Sequence, residues 1–191
     1  MEVNGYRIEA GVDLSSADLT GAYLSGADLT GAKLWRANLS GAELSYAKMS
    51  KADLVNSNLT GAELVHTKLT AADLRNANLT GANLQWAKLA KANLAKAEMI
   101  GADLTKADLS KTNLAGANLE GANLWLANLS GANLTGANLR VADLTDADLT
   151  DANLTDADLS GANLRVANLR GANLSGANLA HTTMPDGSIH D

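Results

Sequence analysis

Leucine occupies every fifth position of this chain from position 14 to position 184, without a break in register. Of these 35 positions, 32 hold Leu and the others hold Met49, Met99 and Met184. A small residue, in most cases Ala, stands two positions before each of them. The intervening positions are mostly Asn, Asp, Ser, Thr or Gly. The apolar pattern therefore repeats with a period of five residues along nearly the whole chain.

This period fits neither a regular helix nor a regular strand. Helix positions five apart are rotated by about 140° and form no apolar stripe, and an odd spacing in a strand sends successive leucines to opposite faces. The small residue and the Leu can point the same way from a short extended segment if the remaining residues turn the chain. Of the 17 Gly, 14 lie two residues after a Leu position, where a corner needs positive φ. Units that cannot bury their own apolar side stack on copies of themselves, which predicts a solenoid.

The runs Ala-Asp-Leu-Thr-Gly, Ala-Asn-Leu-Ser-Gly and Ala-Asn-Leu-Arg-Gly resemble the repeats of the pentapeptide repeat protein family, in its cyanobacterial form. The resemblance covers about residues 12–186. It implies an all-β fold, a right-handed quadrilateral β-helix with four pentapeptides in each 20-residue coil. The 35 repeats would form about 8.75 coils with no long loop insertions. The Leu positions and the small residues would face inward, and the other three positions would face solvent.

We expect one domain over residues 1–191, with an N-terminal cap (1–11), the repeats (12–186) and a C-terminal tail (187–191). Tyr6 and Ile8 lie off the register and are expected to cover the first coil. Ile189 either covers the last coil or leaves that end as a dimer surface of the kind found in some relatives. The interior is expected to include Leu14, Leu19, Leu24, Leu29, Leu34, Leu39, Met49, Met99 and Met184.

Charge is segregated along the chain. Residues 33–111 carry eleven basic and seven acidic residues, whereas residues 1–32 and 112–191 are net acidic. Six aspartates form an acidic belt that suggests calcium: Asp143, Asp146, Asp148, Asp151, Asp156 and Asp158. Their spacing matches neither an EF-hand loop nor the glycine-rich calcium repeat of β-rolls, so we interpret them as solvated. The chain has no Cys and no apolar run of the roughly 18–20 residues that a membrane span needs. Its first residues, Met-Glu-Val-Asn-Gly-Tyr-Arg, lack a basic and an apolar region, so we expect no secretory signal. We expect a cytoplasmic protein without a metal or cofactor.

The sequence does not predict an enzyme. Catalysis needs unlike groups that converge in a pocket, and a filled solenoid without insertions offers no obvious cavity. No nucleophile, phosphate-loop or zinc motif is present. His66 is too far along the rod from His181 and His190 to act with them, although the last two can approach each other in the tail.

Residues 20 apart are expected to lie one above another at about 4.8 Å, so the outward positions form columns. One corner column departs from the polar background, together with a neighbouring residue: Tyr46, His66, Trp86, Lys106 and Leu126, with Trp125 beside the last. The adjacent column holds Lys48, Lys68 and Lys88, and the far edge of that side holds Lys51, Lys91 and Lys111. These aromatics and cations are a candidate partner surface. The alternative is self-stacking, with Lys stems over ring faces.

The function predicted is a non-enzymatic rigid scaffold that binds a protein partner of unknown identity, as a monomer or an end-to-end homodimer. Relatives imply two alternatives, a regulator of cell differentiation in a cyanobacterium and a DNA-mimicking binder of a type II topoisomerase. The second is disfavoured by the absence of Phe, the uninterrupted register and the basic middle. Direct nucleic-acid binding through the Lys column is not expected, because the net charge is −6. No membrane association is expected.

Overall fold

The computed structural model describes residues 2–191. Two short strands open the chain, β1 (Glu2–Val3) and β2 (Tyr6–Arg7), and they pair antiparallel. From residue 13 onward the chain winds into coils. Residues 20 apart pair in parallel, from Asp13 with Lys33 through to Asn163 with Thr183. Each coil therefore lies directly on the one before it, without an insertion, as the period of five predicts. Residues 2–191 form no helix long and apolar enough to cross a membrane.

Two kinds of backbone hydrogen bond build the coils. The N–H of Leu14 donates to the carbonyl of Lys33 at 2.8 Å, and the N–H of Lys33 donates to the carbonyl of Val12 at 2.9 Å. At the corner, the N–H of Ala17 donates back to the carbonyl of Leu14 at 3.0 Å, and Ser16 between them has a φ of 59°. A positive φ at only the third residue of such a turn is the pattern of a type II turn, which explains why Gly is frequent there.

Asn or Asp precedes most Leu positions and helps to fix the corner. Its side-chain Oδ1 accepts a hydrogen bond from the N–H two residues later, as in Asp18 from Thr20 and in Asn58 from Thr60, both at 3.1 Å. This Asx-type bond ties the extended segment to the turn that follows it. Asn and Asp recur at this position because the local geometry uses them, in addition to their solubility.

Leucine and alanine fill the interior. Every Leu or Met position from Leu19 to Leu164 is at most 1 % exposed. Four inward small positions carry a hydroxyl instead of Ala, and each hydroxyl donates to a carbonyl at 2.7–3.0 Å: Ser57, Thr67, Thr112 and Thr182. Within the described chain, no buried side-chain nitrogen or oxygen lacks a hydrogen-bond partner. The exceptions to Ala therefore leave no unsatisfied polar group in the core.

The two ends of the rod differ from the middle. Ile8 is 3 % exposed and Tyr6 is half-buried against the first coils, where the sequence placed a cap. At the other end Met184 packs against the core but is only half-buried, whereas Met99 is fully buried. No further coil lies over Met184 among residues 2–191, because the register of parallel pairs reaches no further than Thr183.

The last residues fold back on the final coil. Thr183 pairs antiparallel with Ile189, and the N–H of His181 donates to the carbonyl of His190 at 2.7 Å. The backbones of these two histidines are thus brought together, as the sequence allowed. The side chain of Ile189 is 64 % exposed. Ile189 therefore does not cover the last coil, and the tail pairs through its backbone instead.

One outward column forms an asparagine ladder over five successive coils: Asn93, Asn113, Asn133, Asn153 and Asn173. The amides of Asn113 and Asn133 do donate to the Oδ1 of the asparagine below, at 3.0 and 3.2 Å. The amide of Asn153 donates instead to the hydroxyl of Thr135 at 3.0 Å. Thr135 itself donates to the Oδ1 of Asn133, so the hydroxyl relays the bond. In this column, one asparagine therefore bonds directly to the next only where the residue after the Leu position, such as Ala115, has no hydroxyl.

Candidate functional site

One corner column of the rod carries a run of aromatic and other large side chains, whereas the column through Gly21 and Gly121 carries Gly in the same coils. We call it the aromatic corner, formed by Tyr46, His66, Trp86, Lys106 and Leu126, together with the neighbouring Trp125. The first five side chains occupy successive coils, and all five residues have positive φ, between 56° and 62°. Their backbones still pair with the next coil, as in the bond from Tyr46 N–H to the carbonyl of Val65 at 2.9 Å. The column is therefore a regular part of the β-helix.

The rings of the aromatic corner stack along the rod axis. The ring centroids of Tyr46 and His66 are 5.0 Å apart with planes at 21°, and those of His66 and Trp86 are 5.8 Å apart at 23°. Tyr46 is 63 % exposed and Trp86 is 44 % exposed. Since the ring faces are turned toward one another, the surface offered to solvent consists largely of ring edges. Ring edges carry the positive part of the aromatic quadrupole and attract acceptors.

Lys106 follows Trp86 in the column, and its ammonium group lies near two tryptophan rings. Its Nζ lies 4.4 Å from the centroid of Trp86 and 5.3 Å from the centroid of Trp125. The Nε1 of Trp125 donates to Oδ2 of Asp146 at 3.4 Å. The sequence grouped Trp125 with Leu126, but the stack passes to Trp125 in the adjacent column, and Leu126 remains 40 % exposed beside it. The half-buried Lys106 holds the two tryptophans in one continuous surface.

The predicted lysine column lies next to this corner. Lys48 pairs in parallel with Lys68, and Lys68 pairs with Lys88, so three ammonium groups stand on successive coils. The Nζ of Lys48 is 3.6 Å from a carboxylate oxygen of Asp28. Lys68 and Lys88 form no ion pair with any residue of the described chain. The structure thus brings all nine residues of the candidate surface onto one corner and the side that follows it.

The acidic belt is held by local hydrogen bonds. The hydroxyl and the N–H of Thr150 donate to the carboxylate of Asp148 and hold its pKa below the usual value. The hydroxyl and N–H of Thr145 donate in the same way to Asp143. Among residues 2–191 no three His, Asp or Glu side chains are grouped so that they could hold a metal ion. The surface of the same residues contains no pocket.

Two contacts escaped the sequence-based assignment. The guanidinium of Arg36 lies 4.2 Å from the ring centroid of Trp35, on the corner diagonally across from Tyr46. The second contact is the hydrogen bond from Trp125 to Asp146, at the C-terminal end of the aromatic corner. Both could be found by comparing each aromatic residue with positions 1, 20 and 21 residues away, since these are its neighbours on the folded coil.

A family profile describing Pentapeptide repeats matches the chain in eight copies, over residues 10–45, 37–76, 77–116, 112–151 and 147–184. The chain belongs to the pentapeptide repeat family. Its fold is the right-handed quadrilateral β-helix of that family, which confirms the fold predicted from the sequence.

Solved pentapeptide repeat structures resemble this one. HetL, a protein involved in heterocyst differentiation regulation from the cyanobacterium Nostoc sp. strain PCC 7120, is 37 % identical, with 97 % of this chain and 94 % of that chain covered and a TM-score of 0.58. A trypsin-treated variant of QnrB1, a plasmid-mediated fluoroquinolone resistance protein, is 19 % identical over 89 % of this chain and 90 % of that chain, at a TM-score of 0.51. This second likeness shows the fold alone.

A further Nostoc PCC 7120 pentapeptide repeat protein, alr5209, is 55 % identical, but over 39 % of this chain and 62 % of that chain, with a TM-score of 0.39. A comparison with curated proteins gives no match.

Proposed function

We propose that this pentapeptide repeat protein is a non-enzymatic rigid scaffold that binds a protein partner through the aromatic corner and the adjoining Lys48, Lys68 and Lys88. The observation that supports it is the exposed stack of Tyr46, His66 and Trp86 on corner positions with positive φ. Trp and Tyr are the residues most enriched among those that dominate binding energy at protein interfaces. An exposed aromatic surface with a charged margin suits that role.

The backbone conformation strengthens this proposal. A residue with a Cβ in the left-handed region costs about 1–2 kcal/mol relative to a right-handed conformation. The corner column through Gly21 and Gly121 avoids that cost with Gly in six successive coils, whereas the aromatic corner carries non-Gly residues in five, as other corners do at Lys51 and Asn56. Each stacked aromatic pair stabilises the fold by about 0.5–1.5 kcal/mol. Stacking therefore offsets part of the strain at this corner and holds the three rings together as one exposed surface, which suits a site that binds a partner.

The test is quantitative capture of partners from an extract of the source organism. The wild-type protein is compared with Tyr46→Ala/Trp86→Ala and with the control Trp35→Ala, which removes a similarly exposed Trp near the diagonally opposite corner. We expect one or more proteins to be retained by the wild type and the control but depleted about tenfold or more on the double variant. Circular dichroism of each variant establishes that the β-helix is intact. Equal recovery on all three proteins would contradict the proposal.

A second candidate function is regulation of cell differentiation in a cyanobacterium. It is favoured by 37 % identity to HetL over 97 % of this chain. Expression of this chain in Nostoc sp. strain PCC 7120 would then alter heterocyst frequency, and Tyr46→Ala/Trp86→Ala would weaken the effect if the aromatic corner carries it. An unchanged heterocyst frequency at high expression would argue against this role.

DNA mimicry toward a type II topoisomerase has less support. The net charge of −6 is compatible with it, but the six lysines on the side beside the aromatic corner interrupt a continuous acidic surface. A gyrase supercoiling assay with micromolar protein tests this alternative, and unchanged supercoiling would exclude it.

A further inference from the structure

The side of the rod that follows the aromatic corner has an arrangement of its own. Two columns of lysines run along its edges, and we call this side the lysine track. One rail holds Lys48, Lys68 and Lys88, and the other holds Lys51, Lys91 and Lys111, with Ala71 between the first two. Between the rails lies a floor of small side chains, Ser50, Thr70, Ala90 and Ser110. All six lysines are exposed, and the four floor residues are half-buried.

The backbone fixes the spacing of the track. Within a rail, successive coils stand about 4.8 Å apart, the distance between paired strands. The two rails are three residues apart, as from Lys88 to Lys91, so their Cα atoms are at most about 10 Å from each other. The track from Lys48 to Lys111 spans about three coil steps, or about 15 Å. An extended polypeptide covers that length with about four to five residues.

The charges of the track are largely uncompensated. Asp28 is 3.6 Å from Lys48, and this is the single ion pair that the track lysines form with described residues. Lys48, Lys68 and Lys88 are paired coil to coil, and like charges directly opposite one another on a sheet are destabilising. By contrast, Lys33 on a neighbouring side stands between Asp13 and Asp53 and forms an ion pair with Asp13 at 3.3 Å. An anion bound between the rails would relieve the repulsion.

Carboxylates limit the track at both ends. Asp28 lies below Lys48 in the first rail, and Asp108 lies above Lys88. Further up the same side, Asp148 and Asp151 occupy the continuations of the two rails. A long polyanion that followed the rod would meet these carboxylates, so the track favours a short acidic segment. The small floor residues allow a peptide backbone to approach closely between the rails.

We propose that the lysine track binds a short, extended segment of acidic protein, lying along the rod axis between the two rails. The proposal deepens the partner-binding function proposed above by naming the chemistry of the partner, and it rests on that function for its biological meaning. Its physical basis is separate, because it depends on the lysines and not on the aromatic rings.

The test uses a fluorescein-labelled peptide of about six residues that alternates Glu and Ser, a length that fills the track. Fluorescence anisotropy compares the wild type with Lys68→Gln/Lys88→Gln. The matched control is Arg36→Gln/Lys96→Gln, which removes the same charge from the corner diagonally across the coil. We expect affinity to fall about fivefold in the first variant and to stay within about twofold in the control, with weaker binding at higher salt. Equal losses in both variants, or no peptide binding at low salt, would overturn the proposal.

Four further measurements locate the bound peptide and separate the possible occupants. Backbone amide shifts in NMR spectra should move at Ser50, Thr70, Ala90 and Ser110 when the peptide binds. Tyr46→Ala/Trp86→Ala should keep the peptide affinity, and loss of peptide binding in that variant would contradict the proposal. If the same variant also recovers all partners equally, the aromatic corner is excluded while the lysine track is not. Tighter binding of a short deoxythymidine oligonucleotide through the same lysines would assign the track to nucleic acid and overturn the proposal. A dimer in sedimentation that Lys68→Gln/Lys88→Gln dissociates would assign it to a second copy and also overturn it.

Discussion

The ammonium nitrogen of Lys106 lies 4.4 Å from the centroid of the Trp86 ring, one coil away along the aromatic corner. The same nitrogen is 5.3 Å from the centroid of Trp125. A single cation therefore contacts two indole rings that belong to different columns. Its half-buried position reduces competition from water, which strengthens the attraction between a cation and a ring.

Lys106→Gln is expected to lower the free energy of unfolding by about 0.5–1 kcal/mol, because it removes the charge that both rings attract. The measurement is urea denaturation followed by circular dichroism. Lys96→Gln serves as the control, since Lys96 also occupies a corner with a φ of 59° but has no ring contact in the described structure. Tryptophan fluorescence should shift to longer wavelength in Lys106→Gln only. Identical stability losses in the two variants would refute the cation–π explanation.

Val141 is expected to be a strained residue. It has a φ of 49° and is 59 % exposed, in a column where the coils on either side carry Gly121 and Gly161. A β-branched side chain is especially unfavourable in the left-handed region. Val141→Gly should therefore raise the free energy of unfolding by about 1 kcal/mol, after the entropy that Gly adds to the unfolded chain.

The reverse substitution provides the control for that prediction. Gly81 occupies the same column with a φ of 64°, and a Cβ there would meet open space. Gly81→Val should destabilise the protein through backbone strain alone. The comparison of thermal midpoints checks both changes, and a Val141→Gly variant less stable than the wild type would show that packing of the Val methyl groups outweighs the strain.

The architecture could be predicted from the sequence because one rule applies to every coil. The spacing of Leu positions set the inward column, and the period of 20 placed Tyr46, His66 and Trp86 in successive coils, where the structure stacks their rings. Such regularity leaves little freedom, since each coil must repeat the backbone of its neighbour. The ring contacts then follow from the 4.8 Å spacing of paired strands.

The remaining features depend on side-chain torsions and on the ends of the rod. The period could not show that Lys106 turns from Leu126 toward Trp125, since both residues lie within reach of its long side chain. Nor could it show that the hydroxyl of Thr135 captures the amide of Asn153, because direct and relayed bonds satisfy the same donor. Whether the aromatic corner binds a partner stays a prediction.

Asp148 is expected to make stability depend on pH. Hydrogen bonds from Thr150 and the nearby charge of Arg170 hold its pKa below the usual 3.8. The unfolded chain takes up a proton at the higher value, so this carboxylate stabilises the fold above pH 3.8, and the contribution is lost as the pH falls through the folded pKa. Asp148→Asn should therefore be less stable than the wild type near neutral pH, and the difference should shrink in acid.

Urea denaturation of both proteins at a series of pH values measures this difference. Asn is a conservative replacement because Asn128, one coil below in the same column, already accepts the N–H of Ser130 at 3.0 Å. In a separate experiment, Thr150→Val should raise the NMR-determined pKa of Asp148 toward its usual value. A stability difference that did not vary with pH would mean that the carboxylate charge has no part in it.

Core truncation is expected to cost more in the middle of the rod than near its last coil. Leu104 is fully buried between coils on both sides, whereas Leu174 is half-buried because no coil covers its outer face in the described chain. Leu104→Ala should lower the free energy of unfolding by about 2–5 kcal/mol, because the paired coils cannot collapse into the cavity. Leu174→Ala should cost clearly less. Met99→Leu provides the control that conserves volume, with an expected change below about 1.5 kcal/mol, since Leu fills the same inward position in the coils above and below. Equal losses at Leu104 and Leu174 would mean that stability is governed by the weakest coil and not by local burial.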